Sequence, residues 1–171
     1  DLIKTRAVLV EKSIGLAVGD TGIKLKGFVD LWARLKIDDW KTSSDVKWFK
    51  SKEELQKNTQ MLIYGYANTL EFSQGPDFVT LAHNQLLVPR NSSTVTYAQR
   101  TETRVPAQDT IKFWKTTAIP LTQRMQEVAK LDDPSAVTPN WNACSRFGGC
   151  AFRDQCAALK GAGAAGPVRN P

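Results

Sequence analysis

Two charged residues in the first third of the chain have the types and spacing of a metal-dependent hydrolytic site. Asp39 and Lys41 lie in LKIDDWKTSS, residues 35–44, whose first positions alternate apolar and polar as in a half-buried strand. Successive strand residues point to opposite faces, so Asp39 and Lys41 share the face of Leu35 and Ile37. Two charges on an otherwise apolar face indicate either a strand end in solvent or a site.

A second aspartate, Asp30, lies in the preceding alternating segment IKLKGFVDLWA, residues 23–33. Residues 34–41 follow after almost no loop, which predicts an antiparallel hairpin with Asp30 beside Asp39. Two carboxylates at one sheet end repel each other unless a cation lies between them, and Mg²⁺ or Mn²⁺ prefers oxygen ligands. Lys41 would then stabilise charge developing on a phosphodiester, or help to orient an attacking water.

The simpler alternative is an ion-paired strand end. In that interpretation Asp39 and Lys41 are solvated, and Asp30 only leads into a turn. A single D-x-K triplet would favour this alternative, because such triplets are common. The ordered pair of segments GFVD and DDWKT, followed by a helix, favours the site instead.

Periodicity along the chain predicts a mixed α/β domain that can position these side chains. A turn at residues 18–22 and a long loop-forming stretch at 132–142 interrupt the pattern. The predicted strands and helices are strands 5–14, 23–33 and 34–41, helix 53–70, strands 78–88 and 94–104, and a helix from Pro106 to Leu131.

Composition sets the class of protein. The chain has 171 residues and 42% hydrophobic residues, which is typical of one globular domain, and it contains neither a membrane-length apolar run nor a secretory signal. The net charge of +6 is compatible with a polyanionic partner. We expect a core domain at 1–131, a cysteine-rich metal-binding appendage at 132–160 and a flexible tail at 161–171.

The motifs LKGFVDLW, LKIDDWKTSS and QMLIY together resemble the RecB-like branch of the PD-(D/E)xK nucleases. That family combines G-x-(I/V)-D, a strand ending in (D/E)-x-K-T, and a helix carrying QxxxY. The resemblance implies a restriction-endonuclease-like α/β fold with a mixed central sheet flanked by helices. It also implies that Asp30, Asp39 and the backbone carbonyl of Trp40 bind Mg²⁺ or Mn²⁺, with Lys41 as the catalytic lysine.

Three further residues take candidate roles from the same resemblance. Gln60 and Tyr64 form the QxxxY pair on one helix face and would contact DNA or support the catalytic residues. The alternative makes Tyr64 a core aromatic residue and Gln60 a surface residue. Glu11 lies where RecB-like proteins often carry an acid, so it either supports the metal site or is a charge on an edge strand.

The cysteines form a separate motif, Cys144-x5-Cys150-x5-Cys156, with glycines between them. Thiolates this close can converge on one metal, and an odd, clustered set argues against a disulfide framework. Zinc would need a fourth ligand. The chain's one histidine, His83, is a candidate, although we expect it to be a surface or loop residue.

Resemblance to RecB-like nucleases suggests a 4Fe-4S cluster instead of zinc. In those proteins one upstream cysteine joins three near the C-terminus, although the spacing here departs from their commoner form. This sequence contains neither the upstream cysteine nor the N-terminal helical segment of the family. We therefore expect the chain to be a fragment or processed form.

The expected function is divalent-metal-dependent DNA hydrolysis. The resemblance implies an exonuclease that acts on single-stranded DNA or double-stranded ends in recombination, repair or phage DNA processing. Its expected location is the cytoplasm of a bacterial or phage-infected cell, without a membrane partner. The alternatives are a non-catalytic basic DNA-binding module and a zinc-stabilised interaction domain.

Overall fold

The computed structural model describes residues 8–72 and 77–132, which form an α/β fold. The five predicted strands all occur within a few residues of their expected bounds. The cysteines and the predicted tail lie outside the described residues, as do residues 5–7 of the first predicted strand. The strands are β1 (Leu9–Ala17), β2 (Lys24–Ala33), β3 (Lys36–Ser43), β4 (Phe78–Leu87) and β5 (Tyr97–Pro106).

These strands form one mixed sheet in the order β1-β2-β3-β4-β5. β3 and β4 are parallel, and the other neighbouring pairs are antiparallel. A parallel pair requires a crossover connection, and here the crossover is helical. It contains a short 3₁₀ helix (Val46–Trp48), helix α1 (Lys52–Gln56) and helix α2 (Thr59–Glu71).

The single helix predicted over residues 53–70 is wrong in one respect, because the structure contains two helices there. Ser51 and Glu54 form a reciprocal capping box at the start of α1. Asn58 starts a second helix, since its side chain accepts a hydrogen bond from the amide of Met61. Apolar periodicity continues across both helices, so it conceals this break.

The predicted helix from Pro106 to Leu131 consists of three consecutive helical segments. Helix α3 (Ala107–Phe113) is followed by a π-helical segment (Trp114–Ala118) and then by helix α4 (Ile119–Ala129). Trp114 is buried, and its ring stacks on Tyr66 with centroids 4.7 Å apart. No helix within residues 8–72 and 77–132 is long and apolar enough to cross a membrane.

The chain divides into two compact units, residues 1–123 and 124–171. The first unit contains the sheet and its core. The second unit is described only through residue 132, and there Arg124 forms an ion pair with Glu127 at 3.0 Å.

The core of the first unit lies between α2 and one face of the sheet, called the core face below. Gly65 of α2 allows close packing, because a Cβ placed there would lie 3.0 Å from Thr110 Cγ2 and 3.6 Å from Leu81 Cδ2. The apolar members of this core include Ile14, Val29, Trp32, Ile37, Leu62, Val79, Leu81 and Val105.

Asn68 fixes the turn between β2 and β3 to helix α2. Its Nδ2 donates to the carbonyl of Ala33 at 2.9 Å, and its Oδ1 accepts from the amide of Leu35 at 3.0 Å. Leu35 has a positive φ of 58°, so the turn gains two external hydrogen bonds where its own backbone is strained. The side chain of Asn68 is fully buried.

We predict that Asn68→Ala lowers the free energy of unfolding by ~1–3 kcal/mol, because two backbone groups of the turn lose their partners. Urea denaturation of the full chain would measure the change. Asn91→Ala, at an exposed position in the connection between β4 and β5, is the control and should be nearly neutral. Equal stability of the two variants would contradict the role assigned to Asn68.

Candidate active site

Asp39 and Lys41 lie on the core face of β3, as their alternation with Ile37 predicts. Lys41 Nζ is 2.7 Å from Asp39 Oδ2. Their exposures differ sharply, since the Asp39 side chain is 2% exposed and that of Lys41 is 45% exposed. The pair is therefore not the fully solvated strand end of the simpler alternative, because β3 continues past it to Ser43. It combines a buried carboxylate with a lysine that reaches solvent.

Asp30 reaches the same strand through a backbone contact. The ladder between β2 and β3 ends at Leu31 and Asp38, and the same register continued by one residue sets Asp30 opposite Asp39. There the Asp30 Oδ2 accepts a hydrogen bond from the amide of Trp40 at 2.6 Å. That amide belongs to the peptide that joins Asp39 to Trp40, so both carboxylates adjoin one peptide unit.

Glu11 lies at an irregular point of β1. Its neighbours Val10 and Lys12 pair with Leu31 and Val29, so Glu11 is opposite Asp30. Its φ of 49° is unusual for a residue other than glycine. Burial in β2 is irregular at the same level. Val29 and Trp32 are both buried, although residues three positions apart on a regular strand point to opposite faces. The distortion in both strands lies beside the predicted acids.

The donor set of this region is compatible with a divalent cation. Asp39 Oδ2 is buried, and its one close partner among the described residues is the ammonium group of Lys41, at 2.7 Å. A metal cation would add a second favourable contact, because a buried charged oxygen is costly to leave incompletely paired. The described residues contain no group of three or more His, Cys, Asp or Glu side chains that could hold a metal. Mg²⁺ is compatible with a site of only two carboxylates, Asp30 and Asp39, since it commonly uses one or two carboxylates together with water and substrate phosphate.

The first acid of the DD pair, Asp38, belongs to the opposite face of the sheet, called the outer face below. Arg100 donates to both of its carboxylate oxygens, at 2.8 and 3.1 Å, and also to Asn84 and Glu102. The hydrogen bond to Asp38 is the chief cause that raises the pKa of Arg100. The hydrogen bond from Arg100 lowers the pKa of Glu102. Asp38 is thus part of an ion-paired network on the outer face.

Gln60 and Tyr64 connect α2 to the strand that carries Asp30. Tyr64 is buried, and its hydroxyl donates to the carbonyl of Phe28 at 2.7 Å. Gln60 Nε2 donates to the same hydroxyl at 3.0 Å. Gly27 lets the ring approach closely, because a Cβ there would lie 3.3 Å from Tyr64 Cε1. These contacts give Gln60 and Tyr64 a role in holding α2 against β2, and contact with DNA remains a prediction.

The expectation that His83 is a surface or loop residue is wrong. His83 lies within β4, is 2% exposed, and pairs in register with Asp39. Its Nε2 is 3.6 Å from Asp39 Oδ2, and neither ring nitrogen has a hydrogen-bond partner among the described residues. Burial is the main cause that lowers the pKa of His83, while Asp39 acts in the opposite direction. A signal was present, since His83 alternates with the core residues Val79 and Leu81.

Comparison with known proteins identifies the family. The model of the PD-(D/E)XK nuclease superfamily matches residues 3–157, and the chain therefore belongs to that superfamily. The chain has no match among curated proteins. A solved structure described as "Crystal structure of SSO0001" aligns with 89% of this chain and 61% of its own, at 16% identity and a TM-score of 0.46. The chain thus spans about 61% of the length of that protein.

We predict that Tyr64→Phe lowers the free energy of unfolding by ~1–2 kcal/mol, because Phe28 and Gln60 lose their shared partner. The free energy would be measured by urea denaturation. Tyr97→Phe is a suitable control, since Tyr97 is an exposed residue of β5. Full stability in Tyr64→Phe would show that its hydroxyl does not hold α2 against β2.

Proposed function

We propose that this chain is the nuclease core of a divalent-metal-dependent deoxyribonuclease of the RecB-like branch, acting as an exonuclease on DNA ends. The observation that carries the proposal is the buried Asp39 carboxylate beside Lys41, with the Asp30 carboxylate hydrogen-bonded to the next backbone amide, that of Trp40. Recombination, repair or phage DNA processing in the cytoplasm of a bacterial or phage-infected cell would supply such substrates. The net charge of +6 favours binding to a polyanion.

In this proposal Asp30, Asp39 and the Trp40 carbonyl hold Mg²⁺ or Mn²⁺, and Glu11 supports them from β1. The bound ion would supply Lewis-acid polarisation of the phosphodiester and activation of water. Hydrolysis forms a bond from the water oxygen to phosphorus and breaks the phosphorus bond to one sugar oxygen. That oxygen takes up a proton as it leaves, and the water loses one.

Lys41 has the placement needed to assist this reaction. Its ammonium group contacts the buried carboxylate but remains 45% exposed, so it can also meet a phosphate that approaches from solvent. A fixed cation beside developing negative charge stabilises the transition state more than the ground state. Asp39 holds Lys41 in that position, since an exposed lysine would otherwise sample many rotamers.

We predict that Asp39→Ala and Lys41→Ala each reduce DNA cleavage by ~10²–10³ or more, the usual cost of removing one preorganised electrostatic group. Cleavage of end-labelled single- and double-stranded DNA would be measured with Mg²⁺, Mn²⁺ or EDTA. Lys36→Ala is a matched control, because Lys36 is on the outer face of the same strand and its side chain is 47% exposed.

DNA binding in EDTA separates catalysis from affinity. Asp39→Ala should bind as well as the parent chain or more tightly, because a carboxylate that repels phosphate is gone. Lys41→Ala should bind slightly more weakly, since one phosphate contact is lost. A parent chain that binds DNA but cuts neither substrate with either metal would decide for a non-catalytic binding module.

The three cysteines extend the proposal to a metal centre outside the described residues. We propose that Cys144, Cys150 and Cys156 bind an iron–sulfur cluster of the 4Fe-4S type, with zinc as the alternative. Their clustering in sequence supports this proposal.

We predict that the purified chain is brown and contains iron, and that Cys150→Ser loses both properties. Visible absorption and elemental analysis would measure them, with zinc determined in the same sample. A colourless protein with stoichiometric zinc would favour the alternative, and the absence of both metals would reject a metal centre formed by the three cysteines of this chain alone.

A further inference from the structure

A cavity of about 350 Å³ lies beside Lys41, where β3 passes into the crossover. Its volume is at the lower end for small-ligand sites, so it suits one nucleotide better than a duplex. The lining combines two cations with aromatic and polar side chains. Those used below are Lys41, Trp48, Phe49, Lys50 and Gln85.

The sheet holds in place the crossover segment around Lys50, which forms one wall of this cavity. Lys50 donates its amide to Gln85 Oε1 at 2.6 Å, and its carbonyl accepts from the hydroxyl of Thr101 at 3.0 Å. Both partner side chains are buried in the sheet. Asp45 caps the 3₁₀ helix by accepting from the amide of Lys47 at 2.9 Å. A wall fixed in this way loses little conformational entropy when a ligand binds.

The two aromatic residues of this wall differ in their surroundings. Phe49 stacks on Tyr97, with ring centroids 6.0 Å apart and an interplanar angle of 18°. Trp48 is 61% exposed, and Lys47 Nζ lies 5.4 Å from its ring centroid. A single exposed aromatic residue is ordinary. Trp48, however, lies on a rigid wall beside two cavity lysines, which is the combination that binds unpaired bases.

Lys50 is available to a phosphate. Its contact with Glu54 is an exposed ion pair at 3.7 Å, which holds the side chain only weakly. Lys41 and Lys50 both line the cavity, so it presents two cations to the phosphates of a bound strand. Trp48 lines the same cavity and is 61% exposed, so its indole is accessible to a base.

We propose that Trp48 and Lys50 form a subsite for one unpaired nucleotide of single-stranded DNA next to the scissile phosphate. The base stacks on Trp48, and its phosphate pairs with Lys50. This inference rests on the proposed nuclease function, because Lys41 defines where the scissile phosphate lies. Duplex DNA would gain little from the subsite, since its bases are already stacked and paired.

The test measures dissociation constants for fluorescein-labelled oligothymidylate and for a blunt duplex, both in EDTA so that no cleavage occurs. Trp48→Ala should weaken oligothymidylate binding about tenfold, the effect expected of one lost base stack. Trp48→Phe should retain most of the affinity, and duplex binding should change little in either variant. Lys50→Ala should weaken oligothymidylate binding and reduce its salt dependence.

Matched controls exist for both residues. Phe28, which is 67% exposed, has its side chain on the outer face, and Phe28→Ala should leave oligothymidylate binding unchanged. Lys36→Ala serves in the same way for Lys50. Unchanged binding in Trp48→Ala, or an equal loss for duplex and single strand, would overturn the subsite.

The outcome is separable from that of the proposed function. Metal-dependent cleavage by the parent chain together with normal single-strand binding by Trp48→Ala rejects the subsite and leaves the nuclease intact. Selective loss of single-strand binding in Trp48→Ala without any cleavage by the parent chain supports the binding role of Trp48 and rejects the nuclease.

Discussion

A carboxylate buried within β3, beside its parallel neighbour β4, is the constraint on which the site depends. Burying a charge is costly unless it is paired, and Asp39 has Lys41 at 2.7 Å but no described hydrogen-bond donor in good geometry. Its neighbour in β4 is His83, whose pKa is lowered by burial, so this imidazole supplies little compensating charge. Asp39 Oδ2 therefore depends on Lys41 for its charge pairing, and a metal cation, as proposed above, would add to that single contact.

Asp38 shows the contrast within the same strand. It follows the same alternation on the outer face, and Arg100 satisfies both of its oxygens with two hydrogen bonds. Strand geometry thus gives two adjacent aspartates different roles. Asp38 is a structural residue, and Asp39 is a candidate metal ligand. A strand needs no turn or bulge to make this division, because its side chains alternate between faces.

The fold surrounds this carboxylate with rigid supports. Asn68 holds the turn that sets the register of β2 and β3, and Tyr64 holds β2 two residues before Asp30. Both side chains come from α2, the helix of the parallel crossover. The sheet register and the position of Asp30 therefore depend on the packing of one helix, for which Gly27 and Gly65 provide the space.

The sequence predicted those parts of the structure that depend on local pattern. Strand alternation placed Asp39 and Lys41 on one face, and the short connection after β2 predicted the hairpin. The break at Asn58 was missed because a cap acts through one side chain and leaves apolar periodicity unchanged. The buried position of His83 was also missed, although its alternation with Leu81 indicated it. No sequence pattern indicated the positive φ of Glu11, because this distortion of β1 arises where β1 pairs with β2, a segment distant in sequence.

The cations on the two faces of the sheet differ in how fully they are paired, and this difference bears on the side from which a phosphate would approach. On the outer face, Arg100 is engaged by Asp38, Asn84 and Glu102, so its charge is largely neutralised locally. Lys41 on the core face contacts a single carboxylate and opens onto a cavity. A phosphate gains more from a cation that is not fully compensated. For the proposed nuclease, the contrast between Arg100 and Lys41 would favour contact of a phosphate with Lys41, on the side where β3 leads into the crossover.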